Sequence, residues 1–306
     1  MPAGSPALSL VALVIVIGVV IANAQLVAGG HTWGDARYHT EVAPPRLAAA
    51  DAVLGGELPG WWDGAGLGEA LAGEPSHGAL YPAHWIAATS RVLDLVAIAH
   101  LAWLALGIAL WARRSSRVAA TGASEPAALV VGLLAVTSGL LASAAVRGAL
   151  PALAHLPWIA LAAGWLAGAT DRKARARATI ALAGLLGLVA LSGVLAGLGH
   201  ALALAVIVGG RKRCARYLAG AIAAGLAIGA IQWLPAVPDR RDCRGRGARL
   251  AARAAGRARP PAASAQMIRH AIAAVAGDLP WAPSHAGAPL LALAAYARRR
   301  AACAGS

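Results

Sequence analysis

The chain has 306 residues, of which 59% are hydrophobic and 13% charged, with a mean hydropathy of +0.64. Soluble domains carry about a quarter charged residues, so a soluble globular enzyme is excluded, and three cysteines exclude a disulfide scaffold. The net charge of +14 would suit nucleic acid, but the basic residues fall in short clusters at the ends of apolar segments rather than along one continuous face, which argues against that partner.

A membrane helix needs about 20 largely apolar residues. In chain order the candidate segments are 7–28, 92–111, 127–146, 150–169, 179–198, a short run at 200–210, and 217–237. Gly197 and Gly199 are predicted to break the fifth segment from the sixth. The predicted fold class is all-α: a polytopic integral membrane protein with about seven transmembrane helices and a large first extracytoplasmic loop, 29–90. Ala22-Asn23-Ala24 fits a leader-cleavage pattern, but MPAGSP has no basic residue and the apolar run is long for a leader, so the first segment reads as a span.

Arg113, Arg114 and Arg117 follow the second segment, Arg172, Lys173, Arg175 and Arg177 the fourth, and Arg211, Lys212, Arg213 and Arg216 the sixth. Basic clusters on alternate loops mark those loops as cytoplasmic, where anionic membrane lipid can contact them. The N-terminus is then cytoplasmic, and residues 29–90 lie outside together with the turns near Arg147 and Gly199. The loop holds seven of the chain's 13 acids against two cations, Arg37 and Arg46. Residues 238–306 carry 12 arginines and no clear apolar period, and are predicted to be a disordered or aberrant tail.

Within the loop, Pro44 and Pro45 are predicted to end one segment, and Arg46–Leu54 to form a short helix stopped by Gly55 and Gly56. Trp61, Trp62 and Trp85 suit anchoring at the membrane interface, with stacking on a ligand as the functional alternative. Asp94, His100 and His155 are predicted at similar depth in the outer half of the membrane, within roughly 12 Å of its surface, and His200 at an outer turn. They suit either a cavity opening outward or interfacial hydrogen bonds to neighbouring helices. Gly193/Gly197 and Gly225/Gly229 have the four-residue spacing that lets helices approach closely. Cys214, Cys243 and Cys303 are too scattered for a metal site. Loop carboxylates allow a divalent ion, but no ligand spacing argues for one, and no cofactor is predicted.

Several loop residues carry a resemblance. Gly34-Asp35, Gly56-Glu57-Leu58-Pro59, Trp62, the glycines 64, 66 and 68, Tyr81-Pro82 and the helix start Leu93-Asp94-Leu95 resemble the first outer loop of YfhO-like bacterial membrane proteins, within the GT-C-type glycosyltransferases. The resemblance covers about residues 7–237. It implies a multi-pass protein of the bacterial inner membrane that moves a sugar from a polyprenyl-phosphate donor to an acceptor such as a cell-envelope polymer. It also implies Asp35 as the catalytic general base, since an acceptor hydroxyl is a poor nucleophile until a carboxylate takes its proton. Tyr38 and His39 lie within a helical turn of Asp35, and Glu41 is a reserve base. Trp62, Glu74, His77 and Tyr81 are candidate substrate contacts. Arg91 and Arg147 are candidate cations for the leaving phosphate, or else snorkelling residues at span ends. Glu57 and Asp63 read as turn residues. A lipid or solute transporter would use the same intramembrane histidines, and a truncated, inactive relative is the third reading.

Overall fold

The computed structural model describes residues 6–29, 38–64, 68–118, 130–133 and 148–233. The chain divides into two units, Met1–Trp233 and Leu234–Ser306. All described residues belong to the first, and the predicted tail lies outside them.

The fold is all-α. The main helices are α1 (Pro6–Ala22), α2 (Ala43–Leu54), α3 (Ser90–Val118), α4 (Leu150–Gly168), α5 (Arg172–Leu191), α6 (Leu195–Gly209) and α7 (Ala215–Trp233). The one strand pair among the described residues is β1 (Trp61–Trp62) antiparallel to β2 (Glu69–Ala70). Among the described residues four helices are long and apolar enough to cross a membrane: those at 90–115, 150–168, 172–191 and 212–233. They correspond to the second, fourth, fifth and seventh predicted segments. The described α1 and α6 are apolar but shorter, and the third predicted segment is described only at 130–133.

α1 stops at Ala22, and a short helix, Ala24–Val27, follows Asn23. The Asn23 amide donates from Nδ2 to the Val19 carbonyl at 2.8 Å, a side-chain bond back into the preceding turn that competes with the helix ladder. Ile15 and Val19 are buried against Ile98, Leu101 and Ala105, while Leu13, Ile17 and Ile21 on the other side are exposed. A helix apolar on both faces suits lipid on one side and protein on the other.

The predicted break at Gly197 and Gly199 falls elsewhere. α5 ends at Leu191, and the turn is made by Ser192 to Val194, with Gly193 at φ +78°. Gly197 is buried inside α6, where a Cβ would meet that of Ala152 at 2.5 Å. His200 is an exposed residue of α6 whose Nδ1 donates to Ala196 O at 2.6 Å, not a residue of the outer turn. Each glycine does a different task. Gly193 supplies a left-handed backbone, and Gly197 a close helix approach.

The bundle core is built of small residues. Ala163, Leu166, Leu182, Leu186, Val189, Ala190, Ala205 and Ala221 are among the fully buried side chains joining α4 to α7. Gly225 and Gly229 of α7 face α5, where a Cβ on either would strike Leu186 or Ala190. Their spacing therefore sets the α5–α7 approach, as the sequence predicts.

The helices run up and down between two chemically different ends. At one, Arg114 Nη2 donates to Gly164 O at 3.1 Å, Cys214 Sγ to Leu166 O at 3.2 Å, and Arg216 lies 4.9 Å over the Tyr217 ring. At the other sit the α5–α6 turn, the end of α7 and residues 71–85 of the loop. Leu80 N donates to Gln232 Oε1 at 3.0 Å, and Gln232 Nε2 to Ala72 O at 3.4 Å. Trp233 Nε1 donates to Ala190 O at 3.0 Å. Gly78, at φ +60°, packs on the carbonyl of Ser192, and Gly193 on that of Pro75.

Candidate functional site

The loop folds locally for legible reasons. α2 begins at Ala43 with Pro44 and Pro45 in its first turn, so the prolines open this helix rather than end a preceding segment. Proline is at home there, because the first turn has no partners for its N–H groups. Gly55 and Gly56 stop the helix, Gly56 at φ +81°. Before α2, Tyr38–Val42 form one π-helical turn. The face of α2 that carries Pro45, Arg46, Ala49 and Ala50 is buried, which puts a cation inside the protein.

Arg46 is 3% exposed. Its Nη2 donates to Gly148 O at 3.0 Å and its Nε to His77 O at 3.4 Å, and its guanidinium also bonds the phenol of Tyr38. All three acceptors are neutral. Burial works against the charged form, and the tyrosines 38 and 81 offset this in part. An arginine nevertheless keeps its charge in proteins. Burial pushes the Tyr38 phenol up as well, with Arg46 opposing it.

Beside Arg46 is a cavity of about 20 Å³ lined by Tyr38, Arg46, His84, His100, Leu150 and Pro151, among others. That is room for one water molecule. His84 is fully buried and donates from Nδ1 to Gly78 O at 3.0 Å. Burial first, then the charge of Arg46, hold it well below the usual histidine range. It is a neutral imidazole with its lone pair on Nε2.

Behind the cavity a hydrogen-bonded chain ties the loop to two helices. Tyr81 Oη lies 2.6 Å from His100 Nε2 and 2.9 Å from His155 Nε2. His100 Nδ1 lies 2.7 Å from Val96 O, and Trp103 Nε1 donates to His155 Nδ1 at 3.2 Å. The two ends of the chain fix its direction. Indole can only donate and a carbonyl can only accept. So His155 accepts at Nδ1 and donates from Nε2 to the Tyr81 oxygen. Tyr81 then donates to His100 Nε2, and His100 donates from Nδ1 to Val96. Each histidine is thereby assigned a single neutral tautomer by its network. Burial also pushes the Tyr81 phenol up, so it takes part as a hydroxyl, not as a phenolate.

The predicted site residues divide into three groups. Tyr38 and Tyr81 come together around Arg46, and His77 contributes its backbone carbonyl there. The others take separate places. His39 and Glu41 are exposed on the π turn. Trp62 packs half-buried over Ala49, Leu71 and Ala79. Glu74 accepts from Ser76 N and Oγ at 3.3 and 2.9 Å, capping the turn Pro75–His77. Arg91 is exposed and donates to Val27 O at 2.7 Å, tying the short helix Ala24–Val27 to α3. Asp35 and Arg147 lie outside the described residues. Trp61 donates to Asp63 Oδ1 at 2.7 Å and Trp85 to Ala79 O at 2.9 Å, so both indoles serve the loop's own fold. Asp94 is buried and acts electrostatically on Tyr38. Among the described residues no group of three His, Cys, Asp or Glu side chains is placed to hold a metal ion.

Three residues of this end were not singled out from the sequence: Arg46, His84 and Gln232. The available signal for Arg46 is a cation heading the stretch RLAAADAVL, which apart from Asp51 is small and apolar. His84 and Gln232 gave none, because a histidine after Pro82-Ala83 and a glutamine at a helix end have no distinctive period.

By fold the chain is all-helical, and among the described residues four helices are fit to cross a membrane. No known protein family, curated protein or solved structure matches the chain.

Proposed function

We propose that the chain transfers a sugar from a lipid-phosphate donor to an acceptor hydroxyl at the loop-covered end, with Asp35 as general base. In this reaction the acceptor oxygen bonds to the anomeric carbon as the bond from that carbon to the donor phosphate breaks. The proton passes to the Asp35 carboxylate, and the electron pair leaves with the lipid phosphate. Attack opposite the leaving group inverts the anomeric centre, by the logic of inverting glycosidases.

The observation that carries the reading is the seating of the loop. Residues 71–85 are hydrogen-bonded and packed onto the bundle end opposite the arginine-rich turns, and Tyr38 and Arg46 lie beside the polar cavity there. Asp35 precedes Tyr38 by three residues. A transporter would need a polar path through the bundle. The buried hydrogen-bonded chain instead ends on Val96 O and Trp103, and the core cluster of the helices that follow is built, among the described residues, of alanine and aliphatic side chains with one cysteine.

The test is transfer from a radiolabelled polyprenyl-phosphate sugar by membranes containing the chain, compared with Asp35→Asn. Loss of a general base predicts a fall of roughly 10²–10⁴-fold. Transfer that persists in Asp35→Asn removes Asp35 from the mechanism, and uptake of label without transfer favours transport.

A further inference from the structure

A buried cation needs compensation. Removing an ion from water costs several kcal/mol even after relaxation, on the order of magnitude found in real proteins, and neutral acceptors return only part of that. Arg46 sits 3% exposed on two carbonyls and a phenol, while the buried carboxylate of this end, Asp94, acts on Tyr38. An apolar residue at this position of α2 would bury with no such cost. The neighbouring positions Ala49 and Ala50 show the choice that packing alone makes.

The surroundings also hold the guanidinium in place. Gly148, at φ +71°, lies so close that a Cβ on it would meet Arg46 Nη2 at 2.7 Å and Val42 at 3.0 Å. The carbonyls of Gly148 and His77 hold the guanidinium from two separate segments of the chain. The cavity in front of it has the volume of one water molecule, and a single phosphoryl oxygen is of that size. The other cation of this end with a described side chain, Arg91, is exposed and occupied by Val27 O.

We propose that Arg46 is the phosphate-binding group of this chain: it takes one oxygen of a lipid phosphate into the cavity it shares with Tyr38, His84 and His100. This rests on the transferase reading for its biological sense but not for its chemistry. A guanidinium suits the task because its planar fork matches phosphate oxygens and its charge does not titrate. In transfer, the same contact would hold the leaving group, where negative charge grows as the glycosidic bond breaks. His84, neutral and with its lone pair on Nε2, suits a protonated phosphate oxygen or a bridging water at the same place.

The experiment measures binding of decaprenyl phosphate, decaprenol and inorganic phosphate to the purified full chain in detergent. Wild type, Arg46→Gln, Arg46→Lys and Lys212→Gln are compared, the last as a control at the arginine-rich end. The expected result is a preference of at least roughly tenfold for decaprenyl phosphate over decaprenol in wild type and Lys212→Gln, in keeping with a charge-assisted contact. Arg46→Gln should lose that preference, and Arg46→Lys should keep part of it. The readout is the ratio of phosphate to alcohol, which a merely structural role would leave unmoved while both lipids weaken together.

Equal affinity of wild type for the phosphate and the alcohol would overturn the assignment, as would an unchanged preference in Arg46→Gln. Displacement of decaprenyl phosphate by equimolar inorganic phosphate would make free phosphate the ligand and overturn the lipid source. The two proposals fail separately. A preference lost in Arg46→Gln, in a chain that transfers no sugar, would keep the lipid-phosphate site and remove the transferase. Transfer with a donor KM unmoved by Arg46→Gln would do the reverse.

Discussion

The two ends of the bundle are held together by different physics. Away from the loop, α4, α6 and α7 meet through small residues, with Gly209 set against Ala163 and Leu218. At the loop-covered end the contacts are directional: the Tyr81 hydroxyl between two imidazoles, the Gln232 amide across Ala72 and Leu80, and Arg46 on two carbonyls. The contrast follows from the solvent. Lipid gives helices no hydrophobic reason to associate, so close approach of small residues supplies the attraction. A polar loop laid on a helix bundle must satisfy its backbone groups or leave them buried and unpaired at about 1–3 kcal/mol each.

The largest predicted effect breaks the seam between loop and bundle. Gly193→Ala puts a side chain at φ +78° and into the Pro75 carbonyl. It should destabilise the protein by roughly 3–5 kcal/mol, combining backbone strain with overpacking. Thermal unfolding in detergent reads this, and Gly184→Ala, on an exposed helix position with open space, should be near neutral or stabilising.

Tyr81→Phe comes next. It keeps the ring but leaves one imidazole nitrogen lacking its donor and another lacking its acceptor. A cost of roughly 2–4 kcal/mol follows from two orphaned buried groups. Near-wild-type unfolding of Tyr81→Phe would mean that the Tyr–His chain does not hold the loop.

Gly209→Leu tests the other region. A Cβ there would already touch Ala163 and Leu218, so the larger side chain should push α6 away from α4 and α7 at a cost of about 1–3 kcal/mol, while proteolysis of the loop stays slow. Faster cleavage within 55–60, equal to that of Tyr81→Phe, would show that the two regions are one cooperative unit.

The smallest effect is a pH dependence confined to the loop-covered end. His84 is held well below its usual range by burial and by Arg46, so the unfolded chain binds a proton that the folded chain does not. Stability is therefore full above the unfolded value of about 6.5 and falls as pH drops below it, by up to about 1.4 kcal/mol per pH unit. His84→Asn should flatten that slope. An unchanged slope in the variant would assign the titration to another group.

The helical architecture was readable in the sequence because apolar run length is its main signal. α2 and its Gly55–Gly56 stop were readable for the same reason, as a short helix bounded by turn residues. Glycine by itself does not mark the break between helices. Gly197 and Gly199 are helical, and the turn falls four residues before Gly197, at Gly193, where backbone sign and not residue type decides. The site was less legible. Tyr81 stands out beside Pro82, yet its partners His100 and His155 lie 19 and 74 residues away, and no local pattern pairs them. Arg46 was visible only as a loop cation, because its burial depends on Gly148, 102 residues further on. Arg91, which looked like a phosphate ligand by its place at a span end, is instead used as a brace on Val27.

The central claim is that the loop and the arginine-rich turns lie at opposite ends of the bundle and so on opposite faces of the membrane. The most direct measurement is labelling of single cysteines in intact cells with a membrane-impermeant maleimide, in a chain lacking its native cysteines. Ser76→Cys and Lys212→Cys both replace exposed residues, one at each end. Labelling of Ser76→Cys from outside, with Lys212→Cys reached only after permeabilisation, is the predicted result. Labelling of both from the same side would contradict the account.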